Sequence, residues 1–572
     1  MDIKINSAIN FQRRLKTKEE GEYSAVLKQA KEKIGNNGKS ILIVPTSSLP
    51  QNAQNNTGVG TLNQAESEKF FDFAKKYWGI NEIQIQPAGQ YHGWQGQYPI
   101  YSGTSMDLGN HMIDIKSHCT EEEFKEIVKA NDGKTNVNYP NIVEKYSKQE
   151  EILHRVYERE KNNPQFADFK VQNTERLEPK ALYRALREIN HTHDYKKWND
   201  VDKNLYLLPQ NERDKRIAEI YKLKNKEIDF YKFKQFLAEN DLKKAKDMLN
   251  QKGLKLNGDM ICGLSYDEIW SHPKAFLEGK TIKWDLPALD LDSKEAEKLI
   301  REKVNIYAKR FDGLRIDASW IYAQPLNKDY GDKILNIIDD EVKKVKGKDF
   351  DLHNIMHEFV ASAEDFNIFD GEKLKPYIDS RVKIYTSDWL SDSWGTNKNF
   401  IERGWKPENF IIGATNHDSK PIKFNENQAK TLSKILGIPF EKLKDEKEFI
   451  KAKFAEPMTA YNNMLYFRDV LANDGDKIPE NFEEKYFKNL ENGKGFNPMD
   501  ALEKAFKSKG LDKEEPELFN KIVKYRKILE SQKRSHKKIA LLSVGLGILL
   551  SAGIAILSKN YRSDKHPNEK IF

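Results

Sequence analysis

Three short apolar runs in the second half of the chain each end in an acidic residue, and this pattern constrains the fold more than any other. The runs extend from Phe311 to Asp317, from Asn354 to Glu358 and from Ile411 to Asp418. Such a run is typical of a buried parallel strand that places a carboxylate at the rim of a (β/α)8 barrel. Because glycosidic bonds are usually cleaved between two flanking carboxylates, the pattern indicates a sugar-cleaving site.

Strand and helix patterns alternate through the rest of the chain. Strand-like runs at Ile41–Val44 and Glu82–Ile85 predict the first two strands, and apolar residues at helical spacing predict a helix at Ala65–Trp78 between them. Two further strands are predicted at Leu254–Asp259 and Val382–Thr386. This alternation favours a parallel α/β barrel over an all-α or all-β fold.

The predicted organisation is therefore an α/β fold with one large domain. A (β/α)8 TIM barrel is predicted to occupy residues 39–530, after a polar N-terminal segment at 1–38. The charged, mostly helical stretch at about 121–225 is predicted to be a subdomain inserted at the barrel rim. A transmembrane helix at 539–557 and a short polar tail at 558–572 would follow the barrel.

The membrane prediction rests on a run of nineteen uncharged residues, 539–557, with basic residues on both sides. A buried core helix is the alternative for this run. The segment Met1–Thr17 is polar and has no apolar signal-peptide core, so we expect a cytoplasmic catalytic part that a C-terminal helix anchors to a membrane.

Charge and cysteine content exclude other classes of protein. The formal net charge is +7, but the segment from Lys533 to the end carries +6 of it, which leaves about +1 for the body. A nearly neutral body argues against binding to nucleic acid. Only two cysteines occur, Cys119 and Cys262, so no disulfide framework is implied and a reducing compartment fits.

The spacing of the three acidic motifs adds to their weight, since each motif alone is common. Asp317 and Glu358 are 41 positions apart, and Glu358 and Asp418 are 60 apart. These separations fit one βα unit and roughly two. We therefore expect the three carboxylates at the ends of strands four, five and seven of the barrel.

At this level the chain resembles the 4-α-glucanotransferases, the amylomaltase or disproportionating-enzyme family of the α-amylase clan. The resemblance covers roughly residues 40–490. Besides the acidic motifs, the segments that carry it are Ile43–Pro50, Gly58–Leu62, Tyr77–Trp78, Gln97–Ser102, Gly258–Met260, Ile269–Pro273 and Arg468–Leu471.

The resemblance implies a role for each acidic residue. Asp317 would be the nucleophile that forms a covalent glycosyl-enzyme, and Glu358 would first protonate the leaving oxygen and then activate the acceptor. This retaining mechanism requires carboxyl groups ~5–5.5 Å apart. Asp418 would hold hydroxyl groups of the distorted sugar ring, with His417 as a neighbouring donor. No metal or organic cofactor is required by this chemistry.

Other residues are candidates for substrate binding. The resemblance places Tyr101 near the sugar cleft and includes Asp259 in a family segment. Trp389 follows the predicted sixth strand, where an aromatic ring stacks on glucose or only packs in the protein. Arg315 lies two positions before Asp317 and so on the same strand face, where it would keep that carboxylate ionised, or form an ion pair with Asp259, or both.

The sequence departs from the family pattern beside both catalytic candidates. Ala318–Ile321 replaces the expected His-Phe-Arg-Gly, and His357 precedes Glu358 where an acidic or small residue is usual. The function that we expect is transfer of maltooligosaccharide segments between α-1,4-glucans, with glucose or an oligosaccharide as acceptor. An amylase-type hydrolase and an inactive, membrane-tethered glucan-binding protein are the alternatives.

Overall fold

The computed structural model describes residue 15 and residues 17–52, 54–90, 104–131, 147–282, 285–319, 330–358, 383–387, 406–415, 422–471 and 495–530. Eight parallel strands close into a barrel within these ranges. They are β1 (Ser40–Val44), β2 (Glu82–Ile85), β3 (Lys255–Met260), β4 (Gly313–Ile316), β5 (Ile355–His357), β6 (Lys383–Ser387), β7 (Phe410–Gly413) and β8 (Asn462–Tyr466).

The strands are arranged around the barrel in chain order, and β8 pairs with β1 to close it. Every pair is parallel. In the register of β3 and β4, Asp259 is the partner of Arg315, and Arg315 is in turn the partner of Met356 on β5. Because the strands are parallel, all eight C-terminal ends lie at one rim, so the residues that follow β4 and β5 are neighbours.

Apolar, β-branched residues explain why these segments form strands. All five residues of β1, Ser-Ile-Leu-Ile-Val, are buried, as are all four of β2 and of β4. Strands with helices on one side and a packed barrel interior on the other are buried on both faces, which favours such continuous runs.

In the described part of the chain, eight helices, of which α8 is the longest, come before β3. They are α1 (Thr17–Ile34), α2 (Ala65–Phe73), α3 (Glu121–Ala130), α4 (Lys148–Glu160), α5 (Pro164–Gln172), α6 (Thr174–Ile189), α7 (Asp200–Lys203) and α8 (Gln210–Gln251). A π-helical turn at Ala74–Trp78 extends α2 and ends at Gly79, whose φ of 67° is the left-handed conformation that glycine adopts readily.

The remaining helices surround the second half of the barrel. They are α9 (Tyr266–Ser271), α10 (Lys294–Arg310), α11 (Tyr330–Lys346), α12 (Glu426–Leu436), α13 (Phe440–Leu443), α14 (Glu446–Ala455), α15 (Phe467–Leu471), α16 (Pro498–Ser508), α17 (Leu511–Glu514) and a helix over residues 516–530. A short antiparallel hairpin, Phe276–Thr281 with Pro287–Leu289, lies between α9 and α10.

The predicted barrel is confirmed, and the predicted strands agree with the structure to within a residue or two. The helices between β2 and β3 extend beyond the predicted insertion, since α8 runs to Gln251. A second apolar core, separate from the main one, includes Leu182 and Trp198 from this region and Trp270 from α9. The division of the chain into the predicted segments, including a helical subdomain at about 121–225, stays a prediction.

The predicted membrane anchor requires a correction. Spanning a bilayer takes about 20 consecutive apolar residues in a helix. No helix in the part of the chain that the structure describes combines that length with that apolarity. The transmembrane helix, the membrane partner and the anchored cytoplasmic location are therefore not retained. Residues 539–557 and 558–572, on which this prediction depended, lie outside the described residues.

Candidate active site

Four of the predicted site residues meet at the C-terminal rim of the barrel. Arg315 lies on β4 and Asp317 directly follows this strand, so the two side chains point to the same face. Asp259 is the register partner of Arg315 on β3, and Glu358 directly follows β5. The predicted positions of Asp317 and Glu358 at the ends of strands four and five are confirmed.

The guanidinium group of Arg315 contacts all three carboxylates. Its Nη1 donates to Asp259 Oδ1 at 2.8 Å and to Asp259 Oδ2 at 3.0 Å. The same nitrogen lies 2.7 Å from Asp317 Oδ1, and Nη2 donates to Glu358 Oε2 at 2.7 Å. Both ion pairs proposed for Arg315 from the sequence are therefore present, and a third joins them.

Burial divides these residues into two pairs. The side chains of Arg315 and Asp259 are 0% exposed, whereas those of Asp317 and Glu358 are 26% and 14% exposed. The buried pair forms the floor of the site, and the two partly open carboxylates lie above it. Asp317 and Glu358 are thus the groups within reach of a bound molecule.

The site carries more negative than positive charge. Three carboxylates face a single guanidinium, so one positive charge offsets only part of the negative charge when all three are ionised. Glycoside cleavage passes through an oxocarbenium-like transition state, whose positive charge such a site stabilises.

The backbone directly after Asp317 supplies a further donor to Glu358. The N–H of Ala318 donates to Glu358 Oε2 at 3.0 Å, the same oxygen that Arg315 binds. Ala318 has a φ of 43°, in the left-handed region that costs a residue with a Cβ ~1 kcal/mol or more. No pattern in the sequence indicates this conformation, so sequence reasoning missed the donor.

A buried lysine fixes the loop that follows β3 beside Asp317. Lys303 donates through Nζ to the carbonyl oxygens of Ile261 at 2.5 Å and Gly263 at 2.7 Å, on either side of Cys262. Burial lowers the pKa of Lys303 to about 8. Burial, the charge of Asp317 and a hydrogen bond to it raise the pKa of the Cys262 thiol. The thiol of Cys262 is therefore held in its protonated form beside Asp317, and sequence reasoning missed this neighbour.

The guanidinium group of Arg315 occupies the point where the three carboxylates converge. Among the described residues, no group of three or more His, Cys, Asp or Glu side chains is arranged to hold a metal ion. The arrangement can position two carboxylates on opposite sides of a bond and stabilise positive charge between them.

The other predicted site residues, Tyr101, Trp389, His417 and Asp418, lie outside the described residues. The start of the third acidic motif is described, since β7 ends at Gly413 and Thr415 follows it. The hydroxyl of Thr415 donates to the carboxylate of Asp469. Burial raises the pKa of this carboxyl group. This motif therefore also reaches the C-terminal rim.

Comparison with known proteins agrees with this geometry. Residues 44–317 match the model of glycoside hydrolase family 77, described as 4-alpha-glucanotransferase. That range contains Asp259, Arg315 and Asp317 and ends before Glu358. A 4-alpha-glucanotransferase of Clostridium butyricum is 26% identical over 355 residues, which cover 56% of this chain and 68% of that protein.

Two solved amylomaltase structures share the fold. One is an amylomaltase from Streptococcus agalactiae in complex with acarbose, with 17% identity, a TM-score of 0.58 and coverage of 79% of this chain and 98% of that one. The other is from Corynebacterium glutamicum, with 11% identity, a TM-score of 0.55 and coverage of 84% and 77%. The barrel and the position of the carboxylates agree with these matches, in which residues 44–317 are similar to glycoside hydrolase family 77 (4-alpha-glucanotransferase).

Proposed function

We propose that this protein is a retaining 4-α-glucanotransferase that moves maltooligosaccharide segments from one α-1,4-glucan to another. The observation that carries the proposal is the shared contact of Asp317 and Glu358 with Arg315, in a chain whose residues 44–317 match this family. One guanidinium holds both partly exposed carboxylates at a fixed separation, as a two-carboxylate mechanism requires.

In the first step, Asp317 is the nucleophile. Its Oδ1 is held by Arg315, and its second oxygen attacks the anomeric carbon of the glucose unit next to the scissile bond. Glu358 gives its proton to the glycosidic oxygen as the bond breaks, and the shortened glucan leaves with a free hydroxyl group. The products are a covalent ester between sugar and Asp317, and an ionised Glu358.

In the second step, Glu358 is the general base. It takes the proton from the 4-hydroxyl of an acceptor glucan, whose oxygen attacks the anomeric carbon and releases Asp317 as a carboxylate. Two inversions retain the α configuration. Arg315 and the Ala318 N–H both donate to Glu358 Oε2, so they stabilise the ionised form that exists between the two steps.

The remaining predicted residues have supporting roles in this proposal. Asp259 is fully buried and binds Arg315 through both oxygens, so we assign it to holding the guanidinium and not to sugar contact. Asp418 and His417 would bind sugar hydroxyl groups, and Tyr101 and Trp389 would contact glucose rings. These four assignments rest on the resemblance of the motifs.

The test is incubation of the full chain with maltotriose, with products separated by chain length. A transferase gives a ladder of longer and shorter maltooligosaccharides plus glucose. Glu358→Gln and Asp317→Asn are both expected to lose it. Glu341→Gln is the matched control, because Glu341 is also buried but contacts Asn305 and Arg301 on α10. Shortened products alone would show a hydrolase, and no turnover of any glucan would contradict the proposal.

The two carboxylates are distinguished with an α-maltosyl fluoride, whose fluoride leaves without protonation. Glu358→Gln should still form the covalent ester on Asp317, which mass spectrometry of the digested protein detects. Asp317→Asn should form none, since it has no carboxylate to attack. The reverse result would exchange the two roles.

A further inference from the structure

Two of the positions at which the sequence departs from the family pattern are in direct contact. Ser319 lies two residues after Asp317, and His357 lies directly before Glu358. Ser319 Oγ is 3.0 Å from His357 Nδ1 and 3.2 Å from the carbonyl oxygen of Ile316. Both side chains are 1% exposed. A buried polar bridge thus connects the turn after β4 to β5, beside both catalytic candidates.

The protons in this bridge follow from its partners. A carbonyl oxygen only accepts, so the Ser319 hydroxyl donates to Ile316 and its oxygen accepts from His357 Nδ1–H. Burial lowers the pKa of His357 to about 3, so the ring is neutral throughout the neutral range. The bridge is therefore a bond between uncharged groups, with the imidazole in its Nδ1–H tautomer.

This bridge closes a small ring around the Ala318 turn. The carbonyl oxygen of Ile316 accepts both from Ser319 Oγ and from the N–H of Glu358, at 3.1 Å. Ile316 is also the register partner of His357. Ala318, with its left-handed φ of 43°, lies inside this ring and points its N–H at Glu358 Oε2. A backbone conformation of this kind persists only where its surroundings hold it.

We propose that Ser319 and His357 form a positioning pair that holds the Ala318 N–H against Glu358 and so sets the balance between the protonated and ionised forms of this carboxyl group. This inference rests on the proposed function, in which Glu358 exchanges a proton in each step. Neither residue touches substrate in the proposal. Both act through the turn that they fix.

The pair itself adds no charge beside Glu358, so we expect the charged groups there to stay in place when the pair is removed. Arg315 binds it from β4, Asp317 and Asp259 share that guanidinium from the ends of β4 and β3, and His357 beside it is neutral. The pair therefore controls one uncharged donor. Loss of that donor favours the protonated carboxyl group, and it should move the alkaline limb of the kcat/KM profile ~0.5–1 pH unit higher.

The first test is Ser319→Ala in the full chain, assayed with maltotriose across pH. We expect kcat about tenfold lower, because Glu358 with a raised pKa is a weaker acid in the first step and its position is no longer fixed, with KM within twofold and the alkaline limb at higher pH. His357→Leu should behave in the same way, and the double variant should lose no more. His357→Asn keeps a donor near the position of Nδ1 and should restore most of the activity.

Ser271→Ala is the matched control. The Ser271 hydroxyl is also buried, donates to the carbonyl oxygen of Asp267 at 2.7 Å and lies 2.9 Å from His272 Nδ1. This variant removes the same chemical group from a similar bridge that contacts none of the site carboxylates. It should lower the thermal midpoint as Ser319→Ala does, but leave the pH profile unchanged. Equal profiles for the two variants would overturn the proposal.

A second measurement needs no substrate and separates this proposal from the proposed function. Glutamate carboxyl carbons are labelled with carbon-13, and the Glu358 signal is assigned by its loss in Glu358→Gln. Its titration midpoint should rise ~0.5–1 pH unit in Ser319→Ala and stay unchanged in Ser271→Ala. An unchanged midpoint in both would refute the positioning role, even if the wild type proved inactive on maltotriose.

Discussion

Replacing Arg315 by lysine tests whether a single guanidinium organises the site. Lysine keeps the positive charge but has one nitrogen, whereas Arg315 uses Nη1 for Asp259 and Asp317 and Nη2 for Glu358. One ammonium group cannot occupy both positions. The variant should therefore lose the separate, simultaneous contacts with Asp317 and Glu358.

The expected loss follows from the number of bonds. A hydrogen bond between charged groups contributes ~1.5–3 kcal/mol. Losing two such bonds, each near the lower end of this range, removes ~3–4 kcal/mol of transition-state stabilisation. Because ~1.4 kcal/mol corresponds to a tenfold change in rate, kcat/KM should fall by about two to three orders of magnitude. The unfolding free energy should also fall, since a buried carboxylate loses its partner.

The assay is initial-rate kinetics of maltotriose disproportionation at a temperature where near-ultraviolet circular dichroism shows the variant to be folded. Arg310→Lys is the control, because Arg310 is also buried but pairs with Glu239 at 2.6 Å and contacts no site carboxylate. It should lose stability and keep kcat/KM within about threefold. A folded Arg315→Lys that keeps kcat/KM within fivefold of the wild type would refute the reasoning.

Three further predictions concern stability and the loop beside Asp317. Burial lowers the pKa of His111 to about 4, so below pH 6.5 the unfolded chain binds a proton that the folded chain does not. The unfolding free energy should therefore fall as pH drops from 6.5 towards 4. His111→Gln should reduce this loss by ~2–3 kcal/mol in urea unfolding at about pH 4.5. Gly313→Ala should lower the thermal midpoint, because a Cβ there would lie 2.8 Å from a backbone oxygen. Gly21→Ala, in α1 with open space around it, should instead raise the unfolding free energy by ~0.5–1 kcal/mol and with it the thermal midpoint. Lys303→Met should release the loop around Cys262 and lower kcat more than KM rises; unchanged kinetics in a folded variant would show that this loop does not position Asp317.

The sequence predicted the barrel because its strands are short apolar runs that are buried on both faces. It also predicted where the carboxylates lie, since a residue that follows a parallel strand must be at the C-terminal rim. The contact between Arg315 and Asp317 followed from the two-residue repeat of a strand, and the alternative pair was with Asp259, at the end of the predicted strand Leu254–Asp259. These inferences needed only local periodicity and strand order.

The parts that sequence reasoning missed depend on contacts between distant segments. The left-handed φ of Ala318 leaves no mark in its residue type, and the bond between Ser319 and His357 joins positions 38 residues apart. The sequence pattern shows Lys303 only as a polar residue of an amphipathic helix. In the structure its ammonium group is buried and donates to a loop 40 residues earlier. By contrast, most of the first half of α8 lies within the charged, mostly helical stretch predicted at about 121–225.

The order of the strands around the barrel also bears on the stereochemistry of the reaction. Asp317 and Glu358 each follow directly after one of two adjacent strands, β4 and β5, and neighbouring strands lie ~4.8 Å apart. This spacing is close to the ~5–5.5 Å between carboxyl groups at which a nucleophile reaches the sugar directly. A carboxylic acid moved to the end of β6 would lie ~10 Å from Asp317, where a water molecule fits between them and inversion replaces retention. The adjacency of two strands thus favours one anomeric outcome before any substrate is bound.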